Sequence, residues 1–182
     1  MTQALYYVVK TLAQLYLLLY LLRFWLPLVG ADFRNPIAQA VLRLTSPLIV
    51  PLRRFIPSFG RVDTATVLVT FAIQYAILLV LLAILGRSAD MLTLALMSLI
   101  ELCILSLNLF FFAILVRVIL SWIAPNSYNP IGALAGALGE PVLKPFRRLI
   151  PLVGGIDISP IFAIVLLQAG VIYLQSLMPV PG

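Results

Sequence analysis

Two arginine pairs, Arg53-Arg54 and Arg147-Arg148, are the residues of this chain best equipped for chemistry. A guanidinium fork grips a carboxylate or a phosphate through two parallel hydrogen bonds. Each pair is held between prolines, Pro51 and Pro57 or Pro145 and Pro151. Four carboxamides, Gln14, Gln74, Asn108 and Gln168, and two opposite charges, Lys10 and Glu101, stand inside long apolar stretches. Amides there either tie helices together or line a path for water or an ion. Lys10 and Glu101 either reach to the surface or pair across helices. Catalytic chemistry fits poorly. With no histidine and Cys103 alone, the chain offers no thiolate or imidazole metal site and no intrachain disulfide. The six acids are scattered, and neither GxxxxGK[ST] nor GxGxxG occurs. The expectation is a protein that is not an enzyme, with no catalytic residues, no cofactor and no metal.

The elements that hold these residues are written twice. Asn35-Pro36-Ile37 returns as Asn129-Pro130-Ile131. Likewise Pro47, Pro51, Arg53-Arg54, Ile56-Pro57, Gly60 and Asp63 return as Pro141, Pro145, Arg147-Arg148, Ile150-Pro151, Gly154 and Asp157. The step is constant at 94 positions, the difference between 129 and 35 and between 157 and 63, so no insertion separates the copies here. Hydrophobic residues make up 63% of the chain and charged ones 10%, with a mean hydropathy of +1.16. One soluble core of 182 residues cannot hide that much apolar surface, so a bilayer must take it.

Crossing about 30 Å of hydrocarbon takes roughly 20 apolar residues. Four stretches qualify, near 4–22, 64–85, 99–120 and 158–178. The first has no basic leader and no small-residue cleavage site, so it is expected to remain as an anchor. The expected fold is an all-α membrane protein of four transmembrane helices in two parallel tandem repeats. Residues 1–85 form the first repeat, 86–98 an external turn and helix lead-in, and 99–182 the second, with a pseudo-twofold arrangement. Of the twelve Lys and Arg, ten fall in or border the two repeated connections. The positive-inside bias then puts both connections in the cytoplasm and both termini outside a bacterial inner membrane. Each repeat has an even number of crossings, so the copies enter the membrane the same way round, unlike the inverted repeats of many transporters.

The repeated connection is too apolar for a plain loop. Ile37, Ala40, Val41 and Leu44, and again Ile131, Leu134, Ala135 and Leu138, keep i, i+3, i+4, i+7 spacing. This predicts a short amphipathic helix, begun by Asn-Pro and ended at Pro47 or Pro141. It would either lie at the interface with its apolar face toward acyl chains or dip in as a re-entrant segment. The prolines around each arginine pair predict a non-helical turn near the phosphate layer. Asp63 and Asp157 fall where the next span begins, as N-caps and arginine partners.

These residues resemble the YggT family, to which YlmG-type proteins of chloroplasts and cyanobacteria are related. The likeness rests on the Asn-Pro opening, the Pro-rich Arg-Arg-x-Ile-Pro core and the closing Asp157-Ile158-Ser159-Pro160, and covers nearly the whole chain. The first copy departs from it, closing as Asp63-Thr64-Ala65-Thr66. What the resemblance implies is a small inner-membrane or thylakoid protein without an established reaction. Its relatives are linked to osmotic or potassium homeostasis, to cell division and envelope organisation, and to cytochrome or nucleoid organisation in plastids.

Equivalent positions allow depth to be estimated. Gln14 and Asn108 lie nine residues before Arg23 and Arg117, about 13 Å into the membrane. Gln74 and Gln168 lie eleven after Asp63 and Asp157, about 16 Å in, so every span carries a midplane amide. Two functions are consistent with this. One is an envelope factor whose arginine turns meet anionic headgroups and a cytoplasmic or membrane protein partner. The other is a small channel component lined by the amides, which would need a homo-oligomer to enclose a pore. Nucleic acid is not an expected partner, because headgroups would occupy so small a basic patch first.

Overall fold

The computed structural model describes residues 2–123, 129–150 and 157–179; Pro151 and Gly154 lie outside them. Six helices follow in order: α1 Thr2–Leu28, α2 Pro36–Leu52, α3 Thr64–Ile84, α4 Met91–Ile123, α5 Pro130–Leu149 and α6 Ser159–Ser176. Four of them, α1, α3, α4 and α6, are long and apolar enough to cross a membrane. The protein is thus an all-α membrane protein, each repeat made of two spanning helices and one connecting helix. Within a repeat all three helices pack together, most closely α4 on α6 and α1 on α3.

Both connecting helices start at the proline of Asn-Pro. Asn35 Oδ1 accepts from Ile37 N and Asn129 Oδ1 from Ile131 N, each at 2.9 Å, while the proline fills a position whose N–H has no intrahelical partner anyway. Their ends differ from expectation. α2 runs through Pro47 and Pro51, and α5 through Pro141 and Pro145 to include Arg147 and Arg148. A proline removes one helical hydrogen bond but need not end the helix where the freed carbonyl can find another donor. The two prolines of each helix are four residues apart, so both lost bonds fall on one face. Only Arg53 and Arg54 keep the expected turn, just past the end of α2.

Part of each apolar face is buried against the spans. Ala38, Val41, Thr45 and Ile49 of α2 are buried, while Leu44 is exposed and Ala40 is outside the buried stripe. On α5, Leu134, Ala135 and Leu138 are buried and Ile131 is exposed. Gly139 lets α5 come close to α4: a Cβ there would meet Ile114 Cγ1 at 3.3 Å. The main core joins α4, α5 and α6 to Leu21 and Leu26 of α1.

α4 starts at Met91, within the helix lead-in expected over 86–98, leaving only a short connection after α3. One further expectation is corrected. The contacts between the repeats do not follow the expected pseudo-twofold arrangement. α3 packs on α4, yet the symmetric partners α6 and α1 do not touch. Asn35 Nδ2 donates to Pro130 O at 2.7 Å, and among the described residues there is no matching bond from Asn129 to Pro36. The short turn holds α3 beside α4, and nothing equivalent ties α6 to α1.

One guanidinium per repeat pins the connecting helix to the first span. Arg23, 4% exposed, donates from Nη1 to Thr45 Oγ1 (2.8 Å), Ser46 Oγ (3.1 Å) and Leu42 O (3.1 Å) of α2, and its Nε is buried without a partner among the described residues. Its counterpart Arg117 meets a carboxylate, Nη1 reaching Glu140 Oε2 at 2.5 Å. Glu140 occupies the position equivalent to Ser46. Ser46→Glu should therefore stabilise the first repeat by about 1.5 kcal/mol, the low end for a hydrogen bond to a charged group. Thermal midpoints in detergent would register the gain, which should vanish when Arg23→Met is added. A loss of stability on Ser46→Glu alone would contradict the assignment.

Candidate functional site

Each connection ends in an elbow where an arginine is tied to the aspartate at the start of the next span. In the first, Arg53 donates to Asp63 Oδ2 from Nε at 3.1 Å and from Nη2. Thr66 Oγ1 donates to the same oxygen. A tight turn closes the loop between them: Phe59 and Val62 exchange backbone hydrogen bonds of 3.0 Å around Gly60, whose φ of +60° suits glycine. Asp63 holds the N-cap position of α3 but its side chain makes no capping bond there: Arg53 and Thr66 share Oδ2, and Oδ1 is buried without a partner among the described residues. In the second elbow, Arg147 Nε donates to Asp157 Oδ2 at 2.7 Å, and Asp157 Oδ1 accepts from Ser159 N at 3.0 Å.

The second elbow carries one more acid. Arg147 Nη1 donates to both carboxylate oxygens of Glu140 at 3.0 Å, so Arg117, Glu140, Arg147 and Asp157 form one alternating chain of charge. Sequence reasoning missed Glu140. The available signal was that it is the sole acid in either connecting helix and sits seven residues before Arg147. Beside this chain a cleft of about 440 Å³ opens, walled by Leu115, Val118, Leu143 and Ile161, with Arg117 and Arg147 at its polar end.

The charges set the carboxyl groups accordingly. Burial raises the Asp63 carboxyl, but hydrogen bonds from Arg53 and Thr66 outweigh it and hold it below the usual carboxylate range. Asp157 behaves likewise: burial raises it, and Ser159 and Arg147 bring it below the usual value. Glu140 is lowered chiefly by its hydrogen bond to Arg117. For Arg147, burial disfavours the charge, yet Asp157 and Glu140 raise its pKa overall. The second arginine of each pair is different. Arg54 and Arg148 are exposed and pair with no carboxylate among the described residues. Each is followed by an apolar side chain almost fully in the open, Phe55 at 83% and Leu149 at 80% exposure.

At the other end of the spans, Gln14, Gln74, Lys10 and Glu101 come together. They line a crevice of about 20 Å³ between α1, α3 and α4, room for about one water. Lys10 Nζ lies 3.9 Å from Glu101 Oε1, linking the first helices of the two repeats. Asn108 and Gln168 do not join this crevice and make no hydrogen bond among the described residues. Among those residues, no group of three His, Cys, Asp or Glu could hold a metal ion.

A model of the CCB3/YggT family matches the chain twice, over residues 2–85 and 96–178. The chain belongs to that family. Each matched segment contains one pair of spanning helices and one arginine elbow. Among relatives, an uncharacterised protein of Pseudomonas aeruginosa is 46% identical over 164 residues, covering 89% of this chain and 83% of its own. The YggT protein of Escherichia coli K12 is 36% identical over 161 residues, 88% and 84% of the two chains. A chloroplastic YlmG homologue of Arabidopsis thaliana is 36% identical over 78 residues, 41% of this chain and 28% of its own. No solved structure matches.

Because the elbow carboxyls titrate lower in the folded chain, their stabilisation is complete above about pH 4 to 5 and is lost as pH falls through the folded values. The thermal midpoint in detergent should therefore be level down to that range and drop below it. Asp157→Asn should lower the midpoint at neutral pH and flatten the acid slope. An acid slope identical in wild type and Asp157→Asn would show that the elbows do not contribute.

Proposed function

We propose that this is a non-enzymatic inner-membrane protein that recruits or organises an acidic partner at the cytoplasmic face through its two elbows. The observation carrying this is the division of labour within each arginine pair. Arg53 and Arg147 are used up in holding the elbows, whereas Arg54 and Arg148 remain exposed beside an exposed apolar side chain. The apolar neighbours Phe55 and Leu149 would rest in the headgroup layer. The guanidinium groups would then face anionic headgroups or the carboxylates of a protein docked there, at about 1 kcal/mol per charge near the surface. The charge distribution supports a cytoplasmic location for both elbows. Envelope organisation, cell division and osmotic homeostasis are the settings that the family resemblance suggests.

The second reading is a small ion or water pathway, potassium-related by the same resemblance. It is supported by the crevice where Gln14, Gln74, Lys10 and Glu101 meet.

In cells, Arg54→Lys with Arg148→Lys keeps every charge but removes the bidentate grip. Crosslinked partners should then be recovered roughly tenfold less, equivalent to about 1.4 kcal/mol, with insertion unchanged. Equal recovery would reduce the elbows to simple charge anchors. Potassium flux into proteoliposomes of purified protein, abolished by Gln74→Leu, would instead establish the pathway; flux no higher than in empty liposomes rejects it.

A further inference from the structure

The cleft of about 440 Å³ at the second elbow has an apolar body and a charged mouth, and its volume falls among small-molecule sites, about 300 to 1,000 Å³. Nothing described so far uses it. Leu115, Val118, Leu143, Ile161 and Ile164 wall the body, while Arg117, Arg147 and Asp157 stand at the mouth. From Trp122 down to Leu115 it runs about 10 Å by helical rise, two-thirds of the roughly 15 Å of hydrocarbon in one leaflet. Ile161 is 61% exposed, so the body opens sideways toward acyl chains.

The duplication supplies a comparison within the chain. Leu21, Phe24, Val67 and Thr70, each 94 positions before Leu115, Val118, Ile161 and Ile164, wall a cleft of about 510 Å³ in the first repeat. Its far wall is formed largely by α4, and no charged side chain lines it. Arg23, the counterpart of Arg117, is buried against the hydroxyls of α2 instead. A groove between paired spans thus belongs to the fold, whereas the charged mouth belongs to the second repeat.

Arg117 Nη1 and Arg147 Nη1 both donate to Glu140 Oε2, which brings the two guanidinium groups near enough to share one small anion. Their side chains stay 32% and 33% exposed, and Nη2 of each is without a partner among the described residues. Glu140, at 46%, is also open. With Asp157 the four charges sum to zero, and Lys144 and Arg148 lie outside the lining. A purely anionic headgroup would leave this set negative. A headgroup bearing both phosphate and ammonium keeps it balanced, each charge meeting its opposite.

We propose that this cleft binds one phosphatidylethanolamine molecule of the adjoining leaflet. An acyl chain lies along Val118 and Ile161, the phosphate accepts from Arg117 and Arg147, and the ammonium donates to Glu140. A primary ammonium has three N–H donors for that role, and a quaternary choline has none. Pockets between spans that take anionic lipids carry an excess of Lys and Arg, which this mouth lacks. The site is separate from Arg54 and Arg148 and does not depend on what they meet.

The test titrates the purified, delipidated chain in detergent with phosphatidylethanolamine, phosphatidylcholine and phosphatidylglycerol of identical acyl chains, counting bound lipid by native mass spectrometry. One phosphatidylethanolamine per chain is expected, held roughly tenfold more tightly than either of the others, the scale of one hydrogen bond to a charged group. Val118→Phe installs the residue that stands at the equivalent position of the first repeat, filling the body without touching a charge. It should abolish the preference and leave the thermal midpoint without added lipid unchanged. Ile161→Phe, on the facing wall, gives the same reading if Val118→Phe does not fold. Equal retention of the three lipids, a preference for phosphatidylglycerol, or an undiminished preference in a folded cleft variant overturns the proposal.

Discussion

A guanidinium near the end of the first span of each repeat holds the connecting helix in place, nearly cut off from water at Arg23 and about a third exposed at Arg117. Arg23 is nearly completely buried and draws on two hydroxyls and a carbonyl of α2; Arg117 draws on Glu140 of α5. A charge in such surroundings is tolerable only with its partners in place. The connecting helix is accordingly fixed against the spans, and its far end delivers Arg53 or Arg147 to the aspartate beginning the next helix. Each elbow is thereby closed at both ends by arginine contacts, neutral and ionic in the first repeat and ionic throughout in the second, leaving Arg54 and Arg148 to face outward.

The copies solve this problem with different residues. In the first, Arg23 relies on neutral acceptors and Arg53 has one carboxylate. In the second, replacing serine by glutamate at one position merges the two arginine contacts into a single run of alternating charge. Duplication has kept the geometry of the elbow while letting its electrostatics drift. The drift extends to the contact between repeats, where Lys10 pairs with Glu101 and the position equivalent to Lys10 is Ile104.

How much could be read in advance depended on the range of the interaction. The Asn-Pro helix starts were legible because a cap is local: the side chain bonds an N–H two residues on. Treating Pro47 and Pro141 as helix ends misread the chain, because the cost of a proline depends on what its freed carbonyl meets in three dimensions. Glu140 went unnoticed since its partner Arg117 is 23 residues away on another helix. The amides were correctly singled out as unusual, yet depth alone could not distinguish Gln14 and Gln74, which share a crevice, from Asn108 and Gln168, which do not enter it.

From the sequence alone came the doubled unit, the four spans, the six-acid limit on ionic partners and the places where charge collects. All of these follow from composition, periodicity and a constant offset, which are properties of the chain read along its length. Only the tertiary structure decided which arginine of each pair is tied down, which residues of each connecting helix are buried, and that α3 packs on α4 while α6 does not pack on α1. Those outcomes depend on side chains distant in sequence competing for a few acceptors, and no local pattern records who wins.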